Sequence, residues 1–331
     1  MSDPASPEPE VPSPAEPAEP VEPVEGADSV GTGGSSAGLL GPAEVRELAE
    51  RLDVSPTKKL GQNFVIDPNT VRKIVRLGSV EAGDRVIEVG PGLGSLTLGI
   101  LERGAAVTAI EIDHRLAAEL PATVRSMQPD AAGRFGVVRS DALEVTAEQL
   151  AAAAPAVPDP AADAPVRLVA NLPYNVSVPI LMHLLELVPE LSSGLVMVQA
   201  EVGHRIAASP GSKEYGSPSA KAAWYGDWRI AGTVSRRIFW PVPGVDSVLV
   251  GYVRRDEPLG TEEERGLSFD LVNSAFAQRR KMLRQALQPV LGDIDRTVAL
   301  LEAAGVAPTS RAEQLGIEEF LAVARAALGA A

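Results

Sequence analysis

Four consecutive residues, Asn171, Leu172, Pro173 and Tyr174, are the best equipped for chemistry in this chain, within the run VRLVANLPYNVSVPIL. The exocyclic amine of adenine is a poor nucleophile because its lone pair is delocalised into the ring. An acceptor pair, the Asn171 side-chain oxygen and the Leu172 carbonyl, can take its two N–H groups and favour a pyramidal, reactive nitrogen. Pro173 stiffens the turn and removes a competing donor. Tyr174 offers a face on which an extruded base can stack, worth roughly 1–3 kcal/mol per base. Alone, the tetrapeptide is equally an ordinary strand-end turn, so its context decides.

That context is a glycine-rich turn, VIEVGPGLGSLTLGIL from Val86 to Leu101. Strand, tight turn and helix bring backbone close to a ligand at the carboxyl edge of a parallel sheet. Gly90, Gly92 and Gly94 permit that approach because no Cβ intrudes. Glu111 ends the next strand 21 residues after Gly90, where a carboxylate can meet ribose hydroxyls, and Asp141 ends the strand after it. A dinucleotide needs its pyrophosphate on the helix N-terminus with the spacing GxGxxG. Here the glycines fall as GxGxG, Pro91 lies inside the turn, and Glu88 precedes it. Such acids suit a cationic nucleoside. S-adenosylmethionine carries a ribose, an ammonium and a sulfonium, with no phosphate, and it fits.

Alternating elements must position these groups. PAEVRELAERLDV has helical periodicity, with Val45, Leu48, Ala49 and Leu52 on one face, and TVRKIVRL forms a second helix. RVIEVG, AVTAIEID, FGVVRSD, VRLVANLP and GLVMVQAEV are strands, separated by helices such as SLTLGILERG and HRLAAELPATV. This order predicts a mostly parallel sheet covered on both faces. DWRIAGTVS and DSVLVGYVRR follow as an expected antiparallel pair at one edge. From about Glu262 the strand signal vanishes, and LSFDLVNSAFAQRRKMLRQAL, DIDRTVALLEAAG and IEEFLAVARAAL are expected to be helical. The division expected is a tail over 1–38, an α/β domain over 39–258 and a small all-α domain over 259–331.

The chain has 331 residues, no cysteine and a net charge of −14. Zero cysteine excludes disulfides and every Cys-ligated metal site. The three histidines, His114, His183 and His204, have no metal-binding spacing, so no metal is expected. No apolar run reaches membrane-spanning length and no signal segment is evident, so a cytoplasmic protein is expected. The Pro/Glu-rich opening stretch predicts disorder and carries eight acids within residues 1–30 without one Lys or Arg, leaving −6 for the rest. Ser192 to Val290 holds thirteen Lys/Arg against ten Asp/Glu. Global acidity therefore does not exclude a polyanionic partner.

Together with GQNF (Gly61–Phe64), these residues resemble the ribosomal RNA adenine dimethyltransferases. The likeness runs from about Lys58 to Leu328 and takes in MVQAEVGHRIAASPGSKEYG, RRIFWPVPGVDSVLV and FAQRRKMLRQAL. PGSKEYG points to the bacterial small-subunit branch, which dimethylates two adjacent adenines in a terminal hairpin. The large-subunit, macrolide-resistance branch shares the other motifs. The resemblance implies a Rossmann-like, seven-stranded class I methyltransferase sheet with a small C-terminal all-α domain. It implies that Asn63 and Val65 close over S-adenosyl-L-methionine, and that Gly90, Gly92, Glu111, Asp141 and Asn171 contact it. Phe239 would sandwich the target base opposite Tyr174, while Leu60, Phe64 and Ile66 pack. Candidate RNA contacts are Lys58, Lys59, Lys213, Arg236, Arg237, Arg279, Arg280, Lys281 and Arg284, the last four expected on one helix. The implied partner is small-subunit rRNA in a pre-ribosomal 30S particle, approached as a monomer. A nicotinamide-dependent dehydrogenase leaves Asn171–Tyr174 unexplained, and the intact site residues speak against a non-catalytic assembly factor.

Overall fold

In the computed structural model, residues 38–54, 63–156 and 164–330 are described. The acidic stretch 1–37, the pair Lys58 and Lys59 with Leu60 and Gly61, and residues 157–163 lie outside them.

Short β-branched runs make the strands, and polar caps start several of the helices. The order begins α1 (Pro42–Arg51), β1 (Phe64–Val65), α2 (Pro68–Leu77), β2 (Arg85–Val89), α3 (Ser95–Glu102), β3 (Ala106–Glu111), α4 (His114–Met127) and β4 (Phe135–Arg139). It continues with α5 (Ala147–Ala153), β5 (Val166–Asn171), α6 (Ser177–Leu187), β6 (Leu191–Gln199), α7 (Ala200–Ile206), α8 (Ser217–Tyr225) and β7 (Gly226–Val234). Then come β8 (Phe239–Trp240), β9 (Ser247–Arg254), α9 (Glu262–Ala277), α10 (Leu283–Ala286), α11 (Gln288–Leu291), α12 (Ile294–Ala303) and α13 (Ile317–Gly329). Asp67, Asp113, Thr146, Thr261 and Asp293 each accept a first-turn amide, which satisfies donors the helix itself leaves unpaired.

Seven strands form one sheet in the order β4-β3-β2-β5-β6-β9-β7. The first five run parallel, and β9 is antiparallel to both β6 and β7. The expected pair at the edge is therefore present. From β2 the chain proceeds outward to β3 and β4, then returns to place β5 on the other side of β2. That reversal is a topological switch point, where the carboxyl ends of adjacent strands open a crevice. Gly90 and Asn171 lie at its two sides.

Alternation along each strand sends side chains into two cores. Val86, Val107, Val169, Leu195, Met197 and Leu249 face α1, α2 and α3. Ile87, Ile110, Leu168, Val196, Val248 and Val250 face a second cluster. Leu271, Val272, Leu283, Leu301 and Phe320 of the C-terminal helices join that second cluster with Ala220 and Trp224 of α8. The helices after Glu262 thus share buried surface with one face of the sheet.

A separate two-stranded ladder pairs β1 with β8, Phe64 opposite Trp240 and Val65 opposite Phe239. It carries β1 across the mouth of the switch point. Ile66 N–H extends the ladder by donating to the Ile238 carbonyl at 2.8 Å.

One helix differs from expectation. FAQRRKMLRQAL is not continuous: α9 stops at Ala277, and Arg279, Arg280 and Lys281 occupy a turn before α10. Tertiary bonds explain the break. Leu283 N–H donates to the Ser310 carbonyl at 2.8 Å and Arg284 N–H to the Pro308 carbonyl at 3.1 Å, so this segment spends its donors on a neighbouring loop rather than on the preceding turn.

Candidate active site

A cleft at the switch point is lined by Asn63, Phe64, Val65, Glu88, the turn from Gly90 to Leu93, Ser95, Glu111, Ile112, Asn171 and Pro173, among others. Its floor is the glycine turn. Gly90 and Gly92 have φ of +66° and +60°, in the left-handed region where a side chain is strained. At Gly92 a Cβ would fall 2.9 Å from the Phe64 ring, so glycine here also lets β1 lie over the turn. At Gly90 the nearest atom to such a Cβ is the Asn171 carbonyl oxygen, 3.8 Å away, which brings turn and β5 end together.

Two acids face this cleft. Glu111, at the end of β3, accepts from Gly92 N–H at 3.1 Å and from Asp113 N–H at 2.9 Å. Burial raises its carboxyl above the usual range despite these amides, which favour the charged form. Glu88 is 1% exposed in β2 and accepts from the Thr97 hydroxyl at 2.6 Å. Burial pushes its carboxyl up to about 8, with the neighbouring Glu111 adding to the shift. The cleft residues include both acids and, among the described residues, no Lys or Arg. A phosphate-bearing dinucleotide would find no cationic side chain among these residues. A ligand that is cationic at one end would relieve the cost of ionising Glu88. The donor set therefore fits S-adenosyl-L-methionine.

Asn171 ends β5. Its Nδ2 donates to the Asn63 carbonyl at 3.0 Å, and this fixes the side-chain amide with Oδ1 as the remaining group. That Oδ1 is buried and has no hydrogen-bond partner. A buried unsatisfied acceptor costs about 1–3 kcal/mol, so the orphan invites a donor that none of the described residues supplies. Leu172 is 1% exposed and its N–H donates to the Met197 carbonyl at 3.0 Å, locking the strand end. Pro173 follows on the cleft wall. Tyr174 is half-buried beyond it, with its hydroxyl 2.7 Å from Ser247 Oγ. Burial raises the phenol above its ordinary value, and the Ser247 bond offsets part of that rise.

Not every expected residue is gathered here. Phe239 is 1% exposed, lies in β8 against Val65, and belongs to the core beneath the sheet. The apolar pair Phe239–Trp240 is used as a strand that pins β1. Phe64, expected to pack, does so against Trp240, ring centroids 6.3 Å apart, while also lining the cleft. Asp141 sits at the end of β4, where its carboxylate accepts from Leu143 N–H at 2.9 Å; it is not a lining residue of the cleft. Ile112 was not singled out by the sequence, yet it lines the cleft with 54% of its surface exposed. Its signal was an apolar residue wedged between the acids of EID. Ser247 was passed over too, although VDS flagged it.

The candidate cations divide into two sets. Lys213, Arg237, Arg280 and Lys281 are exposed and Arg284 half-exposed. Arg279 and Arg236 are committed within the fold. Arg279 pairs with Glu313 at 2.8 Å and donates to the Lys213 carbonyl at 3.2 Å, which ties the PGSKEYG loop to the turn after α9. Arg236 grips Asp246 with two nitrogens, at 2.6 and 2.9 Å.

A family model described as ribosomal RNA adenine dimethylase matches residues 55–327. Ribosomal RNA small subunit methyltransferase A of Leifsonia xyli subsp. xyli (strain CTCB07) is 64% identical over 286 residues, covering 86% of this chain and 98% of that protein. Among solved structures, the 23S rRNA methyltransferase ErmE superposes with a TM-score of 0.56 at 26% identity, over 80% of this chain and 99% of that one. A dimethyladenosine transferase from Plasmodium falciparum shares the fold, with a TM-score of 0.63 at 22% identity over 78% and 94% of the two chains. The family match takes in the sheet, the cleft at its switch point and the helices that follow, and the chain belongs to the ribosomal RNA adenine dimethylase family.

Proposed function

We propose that this protein dimethylates the N6 amines of two adjacent adenines in a hairpin loop near the 3′ end of 16S rRNA. It would use S-adenosyl-L-methionine and act on a small-subunit particle in the cytoplasm. One observation carries this reading: the buried Asn171 Oδ1, oriented by Asn63 and left without a partner at the cleft. An acceptor so placed suits an N–H donor of the substrate.

The chain's own groups divide the work. Glu111, aimed by Gly92 and Asp113, receives ribose hydroxyls, and the glycine turn keeps side chains out of the ligand's path. Val65 and the Asn63 backbone enclose the cleft from β1. When bound, the cofactor supplies an activated methyl group on a cationic sulfur. Asn171 Oδ1 and the Leu172 carbonyl draw the amine hydrogens aside and orient the nitrogen lone pair, which is catalysis by placement. Tyr174 supports the extruded base by stacking. Asp141, one strand further out, completes the nucleoside site from the rim.

In this reading residues 39–258 form the transfer domain, and 259–331 add the RNA-facing cations Arg280, Lys281 and Arg284. PGSKEYG and the small-subunit relative favour 16S over 23S rRNA. Nucleoside mass spectrometry of both rRNAs, from cells with and without the protein, tests it. Loss of N6,N6-dimethyladenosine from 16S rRNA on deletion is expected. An unchanged 16S profile, or a loss confined to 23S rRNA, would refute it.

A further inference from the structure

The VDS element, Val245-Asp246-Ser247, has no role in the chemistry above, yet its serine hydrogen-bonds the Tyr174 hydroxyl. Ser247 is 1% exposed and is the first residue of β9, in register with Gln199 of β6 and Val234 of β7. It is therefore held by strands on both sides. Its Oγ lies 2.7 Å from the Tyr174 hydroxyl. Tyr174, by contrast, sits in the turn after Pro173, where Val176 N–H donates to the Pro173 carbonyl at 3.3 Å and Ser177 Oγ to the Tyr174 carbonyl at 3.4 Å. A phenol ring on such a turn has two free side-chain torsions, and a bond at its far end to a rigid strand removes that freedom.

The residue before Ser247 is clamped as well. Asp246 takes Arg236 Nε and Nη2 on its carboxylate, Arg236 Nη1 donates to the Gly244 carbonyl at 3.0 Å, and the Asp246 carbonyl accepts from Ala200 N–H at 2.9 Å. Three of the five guanidinium N–H groups are spent on the protein, and its charge is matched by Asp246.

We propose that Ser247 is a positioning residue for methyl transfer, its hydroxyl fixing the Tyr174 ring in the pose that receives the base, with Arg236–Asp246 holding the chain that delivers it. This rests on the proposed adenine transfer. The ring does the stacking and Ser247 acts only through the phenol oxygen, so removing either end of the bond has the same effect.

The test is a double-mutant cycle on the full-length protein, with transfer to small-subunit particles as the assay. Ser247→Ala and Tyr174→Phe should each lower kcat roughly tenfold while KM for particle and cofactor stays within about twofold, as expected for misorientation without lost binding. The double variant should be no slower than either single one. Losses that multiply in the double variant, or a loss confined to KM, would overturn the proposal. Tyr174→Phe leaves Ser247 and its strand intact, so it guards against a fold defect in Ser247→Ala. Arg236→Lys keeps the charge but loses the two-point grip. It should lower kcat while the salt dependence of RNA binding is unchanged, and full kcat in this variant would remove Arg236 from the scheme. Absence of transfer by the wild-type protein would count against adenine methylation itself, whereas the cycle in an active protein bears only on Ser247.

Discussion

Asn171→Ala separates catalytic value from structural value at one residue. In the resting protein the side chain makes one hydrogen bond, to the Asn63 carbonyl at 3.0 Å, and carries one buried acceptor with no partner. The bond contributes about 1 kcal/mol net, and the orphan costs about 1–3 kcal/mol. Truncation removes both, so urea unfolding of the variant should lie within about 1 kcal/mol of wild type once the small void is counted. Turnover should behave otherwise. A pre-organised polar group acting only on the reacting centre is worth roughly 2.7–4 kcal/mol, or about 100- to 1,000-fold in rate. Tritium transfer to small-subunit particles measures this, and RNA affinity from filter binding should be nearly unchanged. Full turnover would refute the assigned role, and destabilisation by several kcal/mol would show that Asn171 is chiefly a structural residue. Asn171→Asp is the sharper companion: ionised, it has no donor for the Asn63 carbonyl, so the two oxygens repel and the acceptor loses its aim.

Four further outcomes follow from the same geometry. Glu88 has its carboxyl raised from 4.5 to about 8 by burial, so across that window the native chain holds a proton the unfolded chain has lost. Stability should therefore fall as pH rises through the window, by up to about 1.4 kcal/mol per unit, and Glu88→Gln should flatten that slope in urea titrations; an identical slope in the variant would contradict the buried acid. Gly92→Ala places a methyl 2.9 Å from the Phe64 ring at a φ of +60°, and should weaken cofactor binding measured by calorimetry, with Phe64→Leu in the same chain restoring part of it. Arg280→Ala and Lys281→Ala should each reduce the salt slope of RNA binding by about one, measured by titration in potassium chloride. Arg279→Ala should act differently, by freeing the PGSKEYG loop from its Glu313-anchored tie rather than by removing a phosphate contact.

The parts of this molecule that were legible in its sequence are those governed by local pattern. RVIEV, AVTAIE and VRLVAN are mostly apolar runs because both faces of their strands are covered, and the glycines of GPGLG mark a turn no other residue adopts without strain. The orientation of Asn171 is different in kind. It depends on the Asn63 carbonyl, 108 residues earlier, which composition and periodicity do not report. The burial of Phe239 is of the same kind, since it comes from pairing with β1 across 174 positions of chain. The expectation of one helix through QRRKMLRQ failed for a similar reason. Helical propensity extends the segment, and the loop at Pro308–Ser310 captures the amides that would have continued it.

The pairing of β1 with β8 carries a consequence for when the site is armed. Two rungs bring the backbone of Asn63 to the Asn171 amide, and that carbonyl alone dictates which end of the amide faces inward. Were those rungs undone, the amide could swivel by half a turn about its last torsion and show hydrogens where an oxygen is required. An incoming amine would then meet repulsion in place of an acceptor. Sealing the pocket and setting its polarity are thus a single event, and a purine arriving before the strand is seated finds a surface of the wrong sign.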